Sequence, residues 1–156
     1  MIRIDNEIVE ATSKKAGKSG RRRMNHNFHP VLEDPLQRML NAVEPGTYIR
    51  PHKHEDPDKT EVFMVLRGRI LVVEFDDAGN ITDKIVLDAS EGYYGAEIAP
   101  RTWHTIVSLE KGSVAYEVKN GPYNPIDDKN FAKWAPEEGD PKAAEFLEEL
   151  IRRCFE

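Results

Sequence analysis

Apolar and polar residues alternate through the middle of the chain, which is the pattern of β-strands with one buried face. The segment RILVVEFDDAGNITDKIVLD (69–88) places turn formers around Gly79 between two such runs and predicts a β-hairpin. The segment TIVSLEKGSVAYEV (105–118) repeats the pattern around Gly112 and predicts a second hairpin. Because β-type runs separated by turn signals cover about residues 21–120, an all-β sandwich or barrel is favoured.

Both ends of the chain carry helical patterns. Asp5 or Asn6 can cap a short helix, and a connector rich in Gly, Ser and Lys completes an N-terminal segment and linker, 1–20. The β-rich domain then covers 21–138. Residues 139–156 are predicted to form a C-terminal helix that packs on this domain through one apolar face: Ala143, Phe146, Leu147, Leu150, Ile151 and Cys154.

Length, charge and cysteine content narrow the class of protein. A chain of 156 residues, 39% hydrophobic and 32% charged, fits one domain and contains no apolar run long enough to cross a bilayer. Since the first residues lack the pattern of a secretory signal, we expect a cytoplasmic protein, and the single cysteine agrees with a reducing compartment. The net charge of −6 argues against a nucleic-acid partner, and the basic stretch KKAGKSGRRR (14–23) is interpreted as a solvated linker.

The stretch RPHKHEDPDKTEVFMVLRG (50–68) concentrates residues that bind metals. In a strand, His52 and His54 point to the same side, and the loop EDPDKT can return the chain so that Glu61 lies beside them. One hairpin would then supply three ligands. A fourth, His104, follows a Pro-containing turn at the head of a later apolar strand. The four residues predict a site for one divalent metal ion.

This set of side chains indicates an open metal site. Three neutral imidazoles and one carboxylate leave a divalent ion with residual positive charge and free coordination positions, as in catalytic rather than structural sites. Imidazole suits zinc, iron and nickel, and carboxylate admits manganese. The predicted cofactor is therefore one divalent transition metal (Zn, Fe, Mn or Ni), whose identity the spacing leaves open.

These motifs resemble those of the cupin superfamily. Gly46, His52, His54, Glu61 and Gly68 resemble the first cupin motif in spacing, with a slightly longer loop between His54 and Glu61. The string APRTWH is similar to the end of the second motif, with His104 in the ligand position. More narrowly, QRMLNAVEPGTYIRPHKH, EIAPRTWHTIVSLEKGS, NGPY and FAKWAPEEG resemble the WbuC family of cupin-fold metalloproteins, over about Arg21 to Glu138. This resemblance implies a double-stranded β-helix, or jelly-roll barrel, that holds one metal, in a family whose members often lie in gene clusters for O-antigen and other surface polysaccharides.

Further polar residues share strand parity with the predicted ligands. Tyr48 and Arg50 would face the same side as the histidines, and a guanidinium beside a cation favours an anionic ligand. The alternative is that Arg50 pairs internally with an acid such as Glu97. A polar stripe on the segment RRRMNHNFH either lines the cavity mouth or faces solvent at a sheet edge: Arg23, Asn25, Asn27 and His29. His29 is also a candidate extra ligand or proton shuttle.

Three functional classes fit such a site. A metalloenzyme would isomerise, hydrolyse or oxidatively cleave a small anionic or sugar-derived molecule. A binding or sensing module would hold an acidic small molecule without turnover, and a metal-free sugar-nucleotide epimerase is disfavoured by the complete ligand set. A homodimer is expected, since sheet edges need protection. The catalytic candidates are Glu61, Tyr48 and His29, and the substrate-binding candidates are Arg50, Tyr48, Asn25, Asn27 and Glu97.

Overall fold

A computed structural model describes residues 1–124 and 129–156. Within these ranges ten strands form two five-stranded antiparallel sheets. The strands are β1 (Arg23–Asn27), β2 (Leu36–Val43), β3 (His52–Lys53), β4 (Glu61–Arg67), β5 (Ile70–Phe75), β6 (Ile81–Leu87), β7 (Gly95–Ile98), β8 (Trp103–Ser108), β9 (Ser113–Asn120) and β10 (Asn130–Phe131), with a 3₁₀ turn at Ala89–Glu91. Sheet A has the order β1-β2-β9-β4-β7, and sheet B has the order β10-β3-β8-β5-β6.

The two sheets face each other across a core with an apolar end and a polar end. Successive residues of a strand point to opposite faces, so alternate positions of each sheet meet in the interior. The apolar end is filled from both sheets by Val43, Phe63, Val65, Ile70, Val72, Leu87, Ile98, Ile106 and Ala115. The polar end receives His52 and His104 from sheet B and Glu61 from sheet A.

The N-terminal helix α1 (Asn6–Lys18) packs on the outer face of sheet A. Asp5 caps it, because its Oδ1 accepts hydrogen bonds of 3.1 and 3.2 Å from two backbone N–H groups of the first turn. Val9 and Ala16 are buried against Leu40, Ala42 and Val114. The helix continues through Gly17, so the connector predicted for this segment is limited to residues 19–22, and the segment is part of the folded unit.

The C-terminal helix α2 (Ala143–Phe155) covers the outer face of sheet B. Its apolar face is the predicted one, and it packs on side chains that point outward from the strands, among them Leu71, Val73 and Val107. Leu150 is only 3% exposed at the centre of this contact.

The structure confirms one predicted hairpin and corrects two strand pairings. β5 and β6 pair directly, as the 69–88 pattern predicts. The 105–118 hairpin is wrong, because the turn at Gly112 carries the chain from β8 in sheet B to β9 in sheet A. Likewise β3 and β4 lie in different sheets, so His54 and Glu61 come from opposite sheets rather than from one hairpin. Alternation identifies a strand but does not specify its partner.

The all-β class with a helix at each end is confirmed. Two antiparallel sheets with many crossings between them form a jelly roll. Neither helix in the described ranges has the length and apolarity needed to cross a membrane.

Truncation of the α2 contact tests how much this helix stabilises the sheet. We expect Leu150→Ala to lower the free energy of unfolding by about 2–5 kcal/mol, because it removes buried methyl groups and leaves a cavity. Urea denaturation followed by circular dichroism measures this change. The exposed neighbour Glu148→Ala is the control and should change stability by less than about 0.5 kcal/mol. Equal effects of the two substitutions would show that α2 does not pack as described.

Candidate metal centre

Four side chains meet at the polar end of the sandwich. β3 pairs with β8 so that His52 lies directly opposite His104. His54 is the first residue after β3, and Glu61 is the first residue of β4 in the facing sheet. Each of the four residues offers one ligand atom, and these atoms all lie within 4.8 Å of one another. The four residues are at most 4% exposed, so the structure brings together the whole predicted ligand set.

The carboxylate of Glu61 contacts two of the three histidines. Its Oε2 lies 2.9 Å from His104 Nε2 and 3.3 Å from His54 Nε2. Ring centroids of His52 and His104 are 4.5 Å apart. These separations are compatible with one ion bound by all four groups, since zinc binds imidazole nitrogen and carboxylate oxygen at about 2.0–2.2 Å.

Backbone carbonyls orient two of the imidazoles. His52 Nδ1 lies 3.0 Å from Arg50 O, and His104 Nδ1 lies 2.9 Å from Thr102 O. Because a carbonyl only accepts, both Nδ1 atoms carry the proton and both Nε2 atoms present a lone pair to the centre. His52 Nε2 is buried without a hydrogen-bond partner in the described part of the chain. Both nitrogens of His104 face hydrogen-bond acceptors, Thr102 O and Glu61 Oε2, but a neutral imidazole has only one proton to donate.

This arrangement of donors and acceptors fits a divalent cation. A cation between the Nε2 atoms and Glu61 supplies the partner that His52 Nε2 lacks and removes the conflict between the His104 lone pair and the carboxylate. The residues that would hold the ion are the predicted four: His52, His54, Glu61 and His104.

Burial and mutual contact set the protonation of the centre. Burial holds the pKa of His52 well below that of a free imidazole, which keeps the ring neutral and able to bind a metal. Burial alone would raise the pKa of Glu61, but the close contact of its carboxylate with the His104 and His54 rings holds it well below its usual value, as a proton or a cation between them does. The pKa of the adjoining Glu117 is raised by its burial and by the Glu61 carboxylate. The centre therefore pairs an ionised carboxylate with a neighbour that tends to keep its proton.

A cavity of about 450 Å³ adjoins the centre. It lies along the inner face of β1, β2 and β9, and its polar lining includes Arg23, Asn25, Asn41, Arg50, Glu117 and Lys119. Glu117 connects the cavity to the centre through its contact with Glu61. Phe131 forms another wall, with its ring centroid 6.2 Å from that of His52. The volume is in the range of small-molecule sites.

An arginine pair borders the cavity. Arg21 holds Glu138 with two hydrogen bonds of 2.6 and 2.7 Å. Arg23 donates to the same carboxylate at 2.7 Å and to the carbonyl oxygen of Tyr48 at 2.8 Å. These contacts, opposed by partial burial, lower the pKa of Glu138 to about 2. The segment before α2 is thus fastened to β1 beside the cavity.

Several predicted substrate-binding residues and the catalytic candidate His29 lie on the cavity wall. Asn25, Asn27 and His29 line it, the two asparagines being exposed and the histidine buried. His29 Nδ1 lies 3.1 Å from the backbone N of Arg38, and His29 is not among the four grouped ligands. Arg50 also lines the cavity. Its Nε and Nη2 donate to Ala132 O at 3.2 and 2.8 Å.

The structure places two other candidates away from the centre. Tyr48 packs under α2, where its ring contacts Phe146 and its hydroxyl donates to Pro136 O at 2.8 Å. The parity argument does not hold for Tyr48, since residues 44–51 form a turn and irregular backbone rather than a strand. Glu97 is exposed on the edge strand β7, and the ion pair of Arg50 is with Glu137 at 3.5 Å instead.

Sequence reasoning missed polar residues of the inner face, among them Asn41, Glu117 and Lys119. The last two alternate with Val114, Tyr116 and Val118 along β9. That alternation was the available signal, but it marks two faces without stating which is inside. Because β9 is central in sheet A and α1 covers its outer side, the polar face is the one turned inward.

Comparison with known proteins places the chain in a family. The sequence profile described as Domain of unknown function (DUF6016) matches residues 4–87, more than half of the 156 residues. The chain belongs to the DUF6016 family. No curated protein matches this DUF6016 protein in sequence.

Several solved structures that are similar to the DUF6016 protein have a cupin fold. KdgF from Halomonas sp. is 17% identical, with 67% of this chain and 83% of KdgF covered and a TM-score of 0.51. A cupin 2 domain-containing protein from Halorhodospira halophila is 21% identical, with 84% and 81% covered and a TM-score of 0.52. CapF, a capsular polysaccharide assembling protein from Staphylococcus aureus, is 20% identical over 70% of this chain with a TM-score of 0.58, and the DUF6016 chain spans only 29% of its length. At these identities the likeness is one of fold, and the predicted cupin fold is confirmed.

Neutralising the carboxylate of the centre should weaken metal binding. We expect Glu61→Gln to lower zinc affinity at least tenfold at pH 7 while the fold is retained, because the amide no longer offsets the ion's charge. Competition titration with a chromophoric chelator gives the affinity, and circular dichroism checks the fold. Glu110→Gln, at an exposed position, is the matched control and should bind zinc as the wild type does. Unchanged affinity in Glu61→Gln would remove this residue from the ligand set.

The placement of Tyr48 predicts a pH dependence of stability. Burial raises the pKa of the Tyr48 hydroxyl from 10.0 to about 12. The contribution of this neutral hydroxyl to the free energy of unfolding is therefore complete below pH 10 and is lost as the pH rises from 10 to 12. We expect the unfolding free energy of Tyr48→Phe to decline less steeply over this range than that of the wild type, in urea titrations at several pH values. The exposed Tyr93→Phe should keep the wild-type slope. Identical slopes for Tyr48→Phe and wild type would contradict the burial of this hydroxyl.

Proposed function

We propose that this DUF6016 protein is a metal-dependent cupin that binds one divalent transition metal and takes a small anionic or sugar-derived molecule in the adjoining cavity. One observation carries the proposal. Four buried ligand atoms from two sheets lie within 4.8 Å of one another, and one of them, His52 Nε2, has no other partner in the described part of the chain. A purely structural use of these groups would leave that nitrogen unpaired.

The chain's own residues define what the site does with a small molecule. A bound divalent ion supplies a Lewis acid with open coordination positions. Arg50, which lines the cavity two residues before His52, attracts an anion towards the centre. The buried carboxyl of Glu117, in contact with Glu61, is placed to hold a proton at the border between centre and cavity. Because the four ligands are buried and Glu117 connects them to the cavity, the cavity is the proposed route by which a substrate reaches them.

Surface-polysaccharide metabolism is the proposed setting. CapF, which shares the fold, is a capsular polysaccharide assembling protein. The sequence strings that resemble the WbuC family support the same setting, since members of that family often accompany O-antigen genes. A cytoplasmic location and a homodimer belong to the same proposal. Within the described residues β1 and β7 are the edges of sheet A, and β10 and β6 are those of sheet B.

Metal content and turnover test the proposal together. We expect protein purified without added metal to contain close to one transition-metal ion per chain by inductively coupled plasma mass spectrometry. His104→Ala should lose most of this metal, because it removes one of four ligands. His26→Ala, a histidine of β1 outside the centre, is the control and should keep the metal.

Zinc-, iron- and manganese-loaded proteins are then assayed for isomerisation, hydrolysis and O₂ uptake with sugar acids and sugar phosphates. Turnover that is lost in folded His104→Ala would identify an enzyme. Metal-dependent binding without turnover would identify a binding module. Wild-type protein devoid of metal, and unable to bind added metal, would overturn the proposal.

A further inference from the structure

The amide of Asn41 is only half satisfied at the cavity wall. Its Nδ2 donates to Glu117 Oε2 at 2.8 Å, whereas its Oδ1 is buried and accepts no hydrogen bond from the described residues. The residue is 8% exposed and lines the cavity. Exchanging the amide oxygen and nitrogen does not remove the problem, because one end of the group faces Glu117 and the other remains unpaired.

A neutral hydroxyl is the partner that suits this position. Buried polar groups in folded proteins are almost always hydrogen-bonded, so an unpaired one in a cavity wall points to a ligand group. A hydroxyl both donates and accepts, and it can pair with either end of the amide. Strand register puts Asn25 directly opposite Asn41, which adds a second amide to the same part of the cavity.

The same cavity carries a guanidinium that can hold an anion. Two N–H groups of Arg50 are fixed by Ala132 O, and its Nη1 lies 3.5 Å from Glu137 Oε1. That carboxylate is 81% exposed, so the contact with Nη1 is weak and an anionic ligand can replace it. Phe131 stacks against the guanidinium with its centroid 5.5 Å from Arg50 Cζ and fixes its plane.

We propose that the cavity takes a sugar bearing an anionic group, with Asn41 hydrogen-bonding a sugar hydroxyl next to the metal centre and Arg50 holding the anion. The inference rests on the proposed function for the presence of the metal, but its recognition elements are residues of β2 and of the segment before β3. Asn41 is therefore a specificity-determining residue. The anionic group is a carboxylate or a phosphate, both of which a guanidinium binds.

Four probes separate these contributions by isothermal titration calorimetry on zinc-loaded protein. D-Glucuronate and D-glucose 6-phosphate carry hydroxyls with a carboxylate or a phosphate, D-glucose carries hydroxyls alone, and cyclohexanecarboxylate carries charge alone. We expect at least one of the two charged sugars to bind about tenfold or more tightly than either single-feature probe. The tighter of the two charged sugars identifies the anionic group.

Two variants assign the contacts. Asn41→Leu should weaken the preferred charged sugar about fivefold to tenfold, the effect of one neutral hydrogen bond, and leave cyclohexanecarboxylate unchanged. Arg50→Gln should weaken both anions and leave D-glucose unchanged. Arg69→Gln, an exposed arginine paired with Asp88, is the matched control and should bind every probe as the wild type does. Zinc content is measured for each variant, since Asn41 touches Glu117.

The outcomes distinguish this inference from the proposed function. Equal affinity for D-glucuronate, D-glucose 6-phosphate and cyclohexanecarboxylate would overturn the hydroxyl subsite. An Asn41→Leu variant that binds the preferred charged sugar as tightly as the wild type would overturn it as well. Failure of all four probes to bind a protein that holds zinc would overturn the inference and leave the metal centre standing. Charged sugars that bind a protein unable to hold metal would support the subsite and overturn the proposed function. If Asn41→Leu fails to fold, the comparison of the four probes on wild type still decides the ligand class.

Discussion

The structure depends on one constraint: three imidazoles and a carboxylate are buried in mutual contact where the two sheets meet. Burying polar groups is unfavourable unless each finds a partner. Two of the rings are held by backbone carbonyls, which turns their Nε2 lone pairs inward. The inward lone pairs and the Glu61 carboxylate then require a positive charge between them. The strand pairing and the loop after His54 serve to place these groups within reach of one ion.

The four ligands could be predicted from sequence because three of them lie within ten residues of one another and the residue types are typical metal ligands. His52 and His54 are two residues apart, Glu61 follows one loop, and His104 begins an apolar strand, so local reasoning places each at a strand end. The assignment of strands to sheets could not be predicted in the same way. The turn at Gly112 and the loop before Glu61 both look like hairpin turns, yet each carries the chain across the sandwich. Only the global arrangement decides whether a turn returns to its own sheet.

The surroundings of the centre were harder to predict than the centre itself. Tyr48 lies under α2 because the irregular backbone before β3 breaks the alternation that the sequence suggested. Asn41 and Glu117 could not be identified as cavity residues, since an alternating strand in a two-sheet fold has two faces and each can be covered. Here α1 covers the apolar outer side of β2 and β9, and this packing leaves the polar side for the interior. The N-terminal helix thus determines which residues line the cavity.

The division of the interior into an apolar and a polar end has a mechanical consequence. At one end the sheets adhere through close-packed hydrocarbon, which resists separation in any ionic condition. At the other end the Glu61 carboxylate of sheet A lies against the His104 and His54 rings, and a cavity lies beside them. The contacts that hold the sheets together therefore change in kind along the sandwich: hydrocarbon packing at one end is insensitive to charge, whereas contacts at the other end depend on the charge between one carboxylate and the opposing rings.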